Sequence, residues 1–258
     1  MTAKTVLITG ASSGFGEACA RRYAQQGDSL VLLARSEAKL HALAKALQAE
    51  HGHDLAIFCA GLDVRDARAV DQCCASLPAD FAAVDILINN AGLALGVAPA
   101  HQAEIDDWEV MVDTNIKGLM RMTRNILPGM VERNRGHIVN MGSVAASWPY
   151  PGGNAYCASK AFVQQFSRTL LADLLGTQVR VTHIDPGLAE TNFSRVRMHG
   201  DNAKADAVYE GTRPIVAEDI AEIIYWTTAV PDHININSLE VMPVCQAWGP
   251  FAIDRATQ

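Results

Sequence analysis

No stretch of this sequence approaches the ~20 consecutive apolar residues that a membrane span needs, and no excess of basic charge is present. Lys and Arg number 21 against 28 Asp and Glu, for a formal charge of −7. That balance gives no electrostatic reason to expect nucleic acid or an anionic membrane as a partner. The six cysteines, Cys19, Cys59, Cys73, Cys74, Cys157 and Cys245, form no CxxC pair and no regular framework. With His137 and His183 set in apolar runs, no spacing suggests a metal site. Free thiols in a reducing cytoplasm are the expectation. The opening MTAKTVLITGASSG lacks the long apolar core of a secretory leader. Linkers, low-complexity tracts and internal repeats are missing as well. A chain of 258 residues therefore reads as one domain spanning 1–258.

What is there is a regular alternation. Short runs with nearly continuous hydrophobicity, TVLIT (5–9), SLVLLA (29–34), LAIFCA (55–60), VDILIN (84–89), GHIVNMG (136–142), VRVTHI (179–184) and LEVMPV (239–244), have the character of strands covered on both faces. Between them lie helical stretches at 15–27, 36–52, 66–77, 104–133, 155–176 and 216–230. Ser36 and Asp66 are candidate N-caps, and Gly27 and Gly176 sit past helix ends. This pattern predicts an α/β fold, a doubly wound parallel sheet of seven strands with helices on both faces. The polar, glycine-punctuated segment 187–215 interrupts the alternation and is a candidate functional loop.

VLITGASSGFGEACA places Gly10, Gly14 and Gly16 between the first strand and first helix. Such glycines let the backbone turn sharply and approach a pyrophosphate, while the helix N-terminus offers unpaired N–H groups. After the second strand, dinucleotide sites that select the unphosphorylated ribose carry an acid. Here VLLARSEAK has Ala34 there, followed by Arg35. A guanidinium suits a 2′-phosphate, with Ser12 or Ser13 able to add a hydroxyl, so NADP is the expected cofactor.

The stretch GGNAYCASKAF sets Tyr156 and Lys160 four residues apart, one turn along a helix face. Together with TGASSGFG (9–16), LDV (62–64), NNAG (89–92), Asn115 in TNIKG, GS (142–143) and DPGLAET (185–191), this ordered set resembles the short-chain dehydrogenase/reductase family. NNAGLALGVAPAH, LPGMVERNRGHIVNMGS, SWPYPGGNAY and NINSLEVMPV are similar to its bacterial NADP-dependent 3-hydroxy acid dehydrogenases. The resemblance implies a Rossmann-like domain whose residues 1–95 mainly hold the nucleotide. It implies that Gly10, Ser12, Ser13, Gly14, Phe15 and Gly16 cradle the pyrophosphate and that Asp63 and Val64 contact adenine. Asn89, Ala91 and Gly92 would line the cleft, and Pro186, Gly187 and Thr191 would hold the nicotinamide end. The implied catalytic set is Asn115, Ser143, Tyr156 and Lys160.

Chemistry gives these residues roles. A free phenol, with a pKa of about 10, is a poor base at neutral pH. An ammonium roughly 6 Å away, in an effective dielectric near 20, favours phenolate by about 3 kcal/mol, or about two pKa units. Tyr156 would then exchange the proton of an alcohol, Lys160 would supply the charge and hydrogen-bond the nicotinamide ribose, and Ser143 would donate to the substrate oxygen. Asn115 is expected to hold a water linking Lys160 to solvent.

The implied substrates are small 3-hydroxy acids of the L-allo-threonine, L-serine or 3-hydroxypropionate type, with the matching semialdehydes or ketones in reverse. Their carboxylate should not be buried unpaired. Arg195 and Arg197 lie in the 187–215 segment, expected to act as a substrate lid. Arg197 is the favoured partner, with Trp148, Tyr150 and Asn154 at the rim. Adjacent Cys73–Cys74 and Asp106–Asp107 diverge on a helix and are read as packing and first-turn residues. The alternatives are a broad carbonyl or 3-ketoacyl thioester reductase and, in another class, a non-catalytic NADP(H) sensor. Apolar positions on more than one face of the long helices, including Phe162, Phe166 and Leu170, fit the family's habit of pairing them, so a homotetramer is expected.

Overall fold

The strands are β1 (Thr5–Thr9), β2 (Ser29–Ala34), β3 (Ile57–Gly61), β4 (Ile86–Asn89), β5 (Gly136–Met141), β6 (Val179–Pro186) and β7 (Ser238–Val241). They form one seven-stranded sheet in the order β3-β2-β1-β4-β5-β6-β7, every neighbouring pair parallel. This computed structural model describes residues 3–248. Successive side chains on a strand face opposite ways. Val6 and Ile8 accordingly enter one core, and Leu7 the other; Leu30 and Leu32 part from Val31 and Leu33 in the same manner.

Helices α1 (Gly14–Ala24) and α2 (Glu37–His51) cover the first face with Tyr23, Leu40, Leu43 and Leu47. The buried Tyr23 hydroxyl is satisfied by Thr228 Oγ1 at 2.7 Å. The second face is closed by α3 (Ala67–Ala75) and by a helical run from residue 105 to 132, with Val70, Met122, Ile126 and Met130 inward. That run, expected as one helix, has three parts: α4 (Ile105–Val112), a π-helical turn over Asp113–Gly118, and α5 (Leu119–Glu132). Such single π turns recur at functional sites, and this one contains Asn115. Three further helices are α6 (Asn154–Asp173), α7 (Phe193–Arg197) and α8 (Asn202–Ala207), followed by α9 (Ala217–Ala229), which returns to the first face.

Some boundaries differ from expectation. Strand β7 stops at Val241, short of the predicted 244. Pro243, with no N–H to donate, accepts a turn bond from Gln246 N at 2.9 Å instead. The 187–215 segment holds two short helices, and its base is clamped where Glu190 N donates to Ile215 O at 2.8 Å and Ile215 N to Leu188 O at 3.0 Å.

The chain crosses from β3 to β4 on the other side of β1. At such a switch point the loops beyond the carboxyl ends of the strands diverge and leave a crevice. Asp66 caps α3, with Oδ1 accepting from Arg68 N and Ala69 N at 3.0 Å each. Ser36 stands at the N-cap of α2 but its side chain makes no capping bond. Replacing Asp66 by Ala should therefore lower the urea-unfolding free energy by about 1 kcal/mol, and Ser36→Ala by less than about 0.5 kcal/mol. Equal losses would contradict this assignment.

Candidate active site

A cleft of about 760 Å³ occupies the crevice and runs from Arg35 and Lys39 at one end to Ser143, Tyr156, Lys160 and Phe193 at the other. Its floor is the turn after β1. Gly10 has φ +66°, and a Cβ on Gly16 would stand 2.4 Å from Gly10 O, so neither position accepts a side chain. Gly16 packs the turn closed, while Gly10, Ser12, Ser13, Gly14 and Phe15 face the cleft. The backbone here can approach a pyrophosphate, which fits a dinucleotide.

Asn90 holds this turn in place, its Nδ2 donating to Thr9 O at 2.9 Å and Gly10 O at 3.2 Å. The expectation that Asn89 lines the cleft is corrected. Asn89 is buried, donating to Thr123 Oγ1 on α5 at 3.0 Å and to Asn140 Oδ1 on β5 at 2.9 Å. Strand alternation turns it toward the helices and leaves Asn90, Ala91 and Gly92 at the cleft wall. The doubled asparagine in NNAG carried the signal for Asn90.

At the end beyond β2 and β3 Arg35, Lys39, Asp63, Val64 and Arg65 line the wall. Asp63 is clamped by Arg65 through Nε at 3.0 Å and Nη2 at 2.6 Å, and this hydrogen-bonded guanidinium holds its carboxyl below the usual carboxylate range. Three cations thus face one neutralised acid, a setting suited to a phosphate group.

The inner end is built by β5, α6 and β6. Ser143 follows β5, with its Oγ accepting from Ala145 N at 3.1 Å and its N–H donating to Asp185 Oδ1 at 2.9 Å. Tyr156 and Lys160 are both buried, and the Lys160 Nζ donates to Met141 O at 2.7 Å. This ammonium lies 5.8 Å from the Tyr156 ring centre. The expected separation is therefore present, but its consequence is not. Burial raises the Tyr156 pKa above the ordinary 10.0, and the opposing influences are a hydrogen bond with Ser143 and the Arg197 guanidinium. Burial also lowers Lys160 from 10.5 to about 8. Desolvation, omitted from the simple Coulomb estimate, outweighs the attraction.

Asn115 is anchored on two sides. Its Oδ1 accepts from Leu93 N at 2.9 Å, and its Nδ2 donates to Leu93 O at 2.8 Å and Ser159 Oγ at 3.0 Å. Both amide hydrogens are committed, so the side chain ties the π turn to α6 and to the loop after β4.

Pro186, Gly187 and Thr191 line the cleft. Of the expected rim residues, Arg197 stands with its guanidinium 5.0 Å over the Tyr150 ring and its Nε donating to Gly96 O at 3.3 Å. Asn154 Nδ2 donates to Ala98 O at 3.2 Å. Trp148 reaches away, Nε1 donating to Glu240 Oε2 at 3.2 Å on the sheet edge. None of these four is among the residues lining the main cleft. The residue of the 187–215 segment that meets the phenol is Phe193, its ring 5.6 Å from that of Tyr156. Sequence reasoning missed Phe193 because an isolated aromatic in a polar loop has no periodicity to betray it.

A family model described as short chain dehydrogenase matches residues 4–202. The NADP-dependent 3-hydroxy acid dehydrogenase YdfG of Escherichia coli O6:H1 is 53% identical over 251 residues, covering 97% of this chain and 99% of that protein. Sulfoacetaldehyde reductase 2 of Chromohalobacter salexigens is also 53% identical over 251 residues, covering 97% and 98%. Among solved structures, the closed form of serine dehydrogenase complexed with NADP+ superposes with a TM-score of 0.89 at 52% identity, covering 97% of this chain and 99% of that one.

Burial of Lys160 makes stability depend on pH. With a folded pKa of about 8 against 10.5, the native state binds fewer protons than the unfolded chain between those limits. This lysine therefore adds stability as pH rises through that window and opposes folding below it. Carbon-13 NMR of labelled lysines in the ligand-free protein should show one side chain titrating near pH 8, absent from Lys160→Met. A full set titrating at the ordinary value would contradict the burial argument.

Proposed function

The chain belongs to the short-chain dehydrogenase family, and we propose that it is an NADP-dependent oxidoreductase that oxidises the 3-hydroxyl of short 3-hydroxy acids and reduces the matching semialdehydes or ketones. The observation that carries this reading is a single cleft joining a cationic adenosine end to a buried Ser143, Tyr156 and Lys160. Support for the substrate class comes from relatives named 3-hydroxy acid dehydrogenase and serine dehydrogenase.

In this reading residues 1–95 mainly hold the nucleotide and 187–215 close over the substrate. The glycine turn would cradle the pyrophosphate, Arg35 the 2′-phosphate, Lys160 the nicotinamide ribose, and Pro186, Gly187 and Thr191 the nicotinamide end. NADP+, when bound, supplies the hydride acceptor. Ser143 donates to the substrate oxygen and fixes it against Tyr156. Tyr156 removes the alcohol proton, or returns it to the carbonyl oxygen in reverse. The Ser143 hydrogen bond and the Arg197 guanidinium are the influences that oppose burial and favour phenolate. Arg197 also takes the substrate carboxylate, and Tyr150, stacked beneath the guanidinium, orients it.

A second reading is favoured by the sulfoacetaldehyde reductase relative: a guanidinium pairs with a sulfonate as readily as with a carboxylate, so a short aldehyde sulfonate fits the same chemistry. The alternatives of a broad carbonyl reductase or a ketoacyl thioester reductase are separated by side-by-side kinetics on L-allo-threonine, 3-hydroxypropionate, sulfoacetaldehyde and an acetoacetyl thioester. A homotetramer is the proposed assembly, supported by the exposed Ile105, Met120 and Val131 on the α4–α5 run, since apolar side chains of this kind favour burial between subunits. Six free cysteines favour a reducing cytoplasm as its location.

Tyr156→Phe should lower kcat/KM by about 10²–10⁴-fold while NADP+ affinity, read by fluorescence titration, stays within error; retained turnover would remove Tyr156 from proton transfer, and retained cofactor affinity with unaltered biology would favour the sensor alternative. Arg35→Ala should weaken NADP+ binding about 10–100-fold and leave NAD+ binding unchanged, and parallel loss of both would remove Arg35 from the phosphate site. Arg197→Met should raise KM for 3-hydroxy acids about 10–100-fold while sparing small neutral ketones. Equal loss on acids and ketones would remove Arg197 from carboxylate recognition.

A further inference from the structure

Below the catalytic groups lies a buried ionisable pair that the reaction as described does not use. β6 carries His183 and Asp185 two residues apart, hence on one face of the strand, and they are 1% and 2% exposed. Asp185 Oδ1 accepts the Ser143 N–H at 2.9 Å, and its Oδ2 is 3.1 Å from His183 Nε2. That imidazole nitrogen also lies 2.9 Å from Ser238 Oγ on β7, while Nδ1 is buried with no hydrogen-bond partner among the described residues. Space for the carboxylate comes from Gly142, where a Cβ would stand 1.9 Å from Asp185 Oδ1. An acid this deeply buried is costly unless its charge is compensated.

We propose that Asp185 is a positioning residue of the reaction: it fixes Ser143 through the backbone N–H and serves as the counter-charge of the Lys160 ammonium. This deepens the reading given under Proposed function and rests on it. Lys160 Nζ is fixed on the Met141 carbonyl, and the Asp185 carboxylate is packed against the next two residues, Gly142 and Ser143, which brings the two charges into one buried neighbourhood; burial works to discharge Lys160, and this carboxylate works against it. The other groups facing this lysine do not replace it. Tyr156 shares its helix, Met141 of β5 offers a neutral carbonyl, and Asn115 of the π turn brings an amide oxygen beside it at Gly92. Around Asp185 itself stand His183 from the same strand and, in register on β7, the exposed Glu240. Arg197 acts on Tyr156.

The sign follows directly. Removing a negative charge makes both the ammonium and the phenol easier to deprotonate, so both pKa values fall. In the carbonyl-reducing direction the protonated pair is the active form, and kcat declines as it loses its proton. Asp185→Asn, assayed with NADPH across pH, should move that declining limb toward acid by about one pH unit or more. Asp185→Glu should leave the limb near the wild-type position. NADPH affinity and thermal unfolding check that each variant is folded; if the asparagine variant is not, Asp185→Ser, small and neutral with a hydroxyl to accept the Ser143 N–H, takes its place with the same expectation. A uniform loss of kcat with the limb unmoved would overturn the proposal and leave Asp185 a backbone anchor. Tyr156→Phe, run alongside, separates the two levels: its activity retained would overturn both readings, whereas an inactive phenylalanine variant with an unmoved Asp185→Asn limb overturns this one alone.

Discussion

The hydrogen bond from the Lys160 ammonium to the Met141 carbonyl, 2.7 Å long and shut away from water, is the constraint around which the inner end of the cleft is arranged. It draws a cation into a medium that disfavours charge. Neighbouring elements answer that demand: β5 ends in an open carbonyl, β6 brings a carboxylate, and the π turn contributes an oriented amide. The same desolvation acts on Tyr156 and keeps its phenol protonated in the ligand-free protein.

Topology explains how residues from 10 to 193 come to share one cavity. Parallel strands all end on the same edge of the sheet, and the reversal between β1 and β4 opens that edge. The glycine turn, Ser143 and Asp185 sit at or just beyond a strand's carboxyl end, Tyr156 and Lys160 on the first two turns of α6, and Asn115 on the π turn. The rigid sheet fixes their spacing, and loops are left only the task of covering them.

Much of this was legible from residue patterns. Seven apolar runs became seven strands because both faces of a parallel sheet demand continuous hydrophobicity, and the glycine turn was readable because steric exclusion at Gly10 and Gly16 leaves few other residues possible. The spacing of Tyr156 and Lys160 was equally plain. Their ionisation was not, since burial depth is a property of the whole packed core and no local spacing encodes it. Asn89 was misplaced for a similar reason: a doubled asparagine does not reveal which of the two faces the cleft. His183 was read only as a histidine in an apolar run and Asp185 only as the start of DPGLAET, and the register of β5, β6 and β7 shows them meeting Ser143 and Ser238. Segment 187–215 was recognised as an excursion, but its contacts with Gly96 and Tyr156 span distances along the chain that composition cannot report.

The way that excursion is tied down has a geometric corollary. Its base is clamped at Ala189 and Ile215, its far side is held by Gly96 N donating to Arg197 O at 3.0 Å, and between these anchors Phe193 packs against the phenol ring. Phe193 and Arg197 sit at opposite ends of one short helix. The ring that covers the phenol and the cation that acts on it therefore share one carrier, and their distances to Tyr156 are set together.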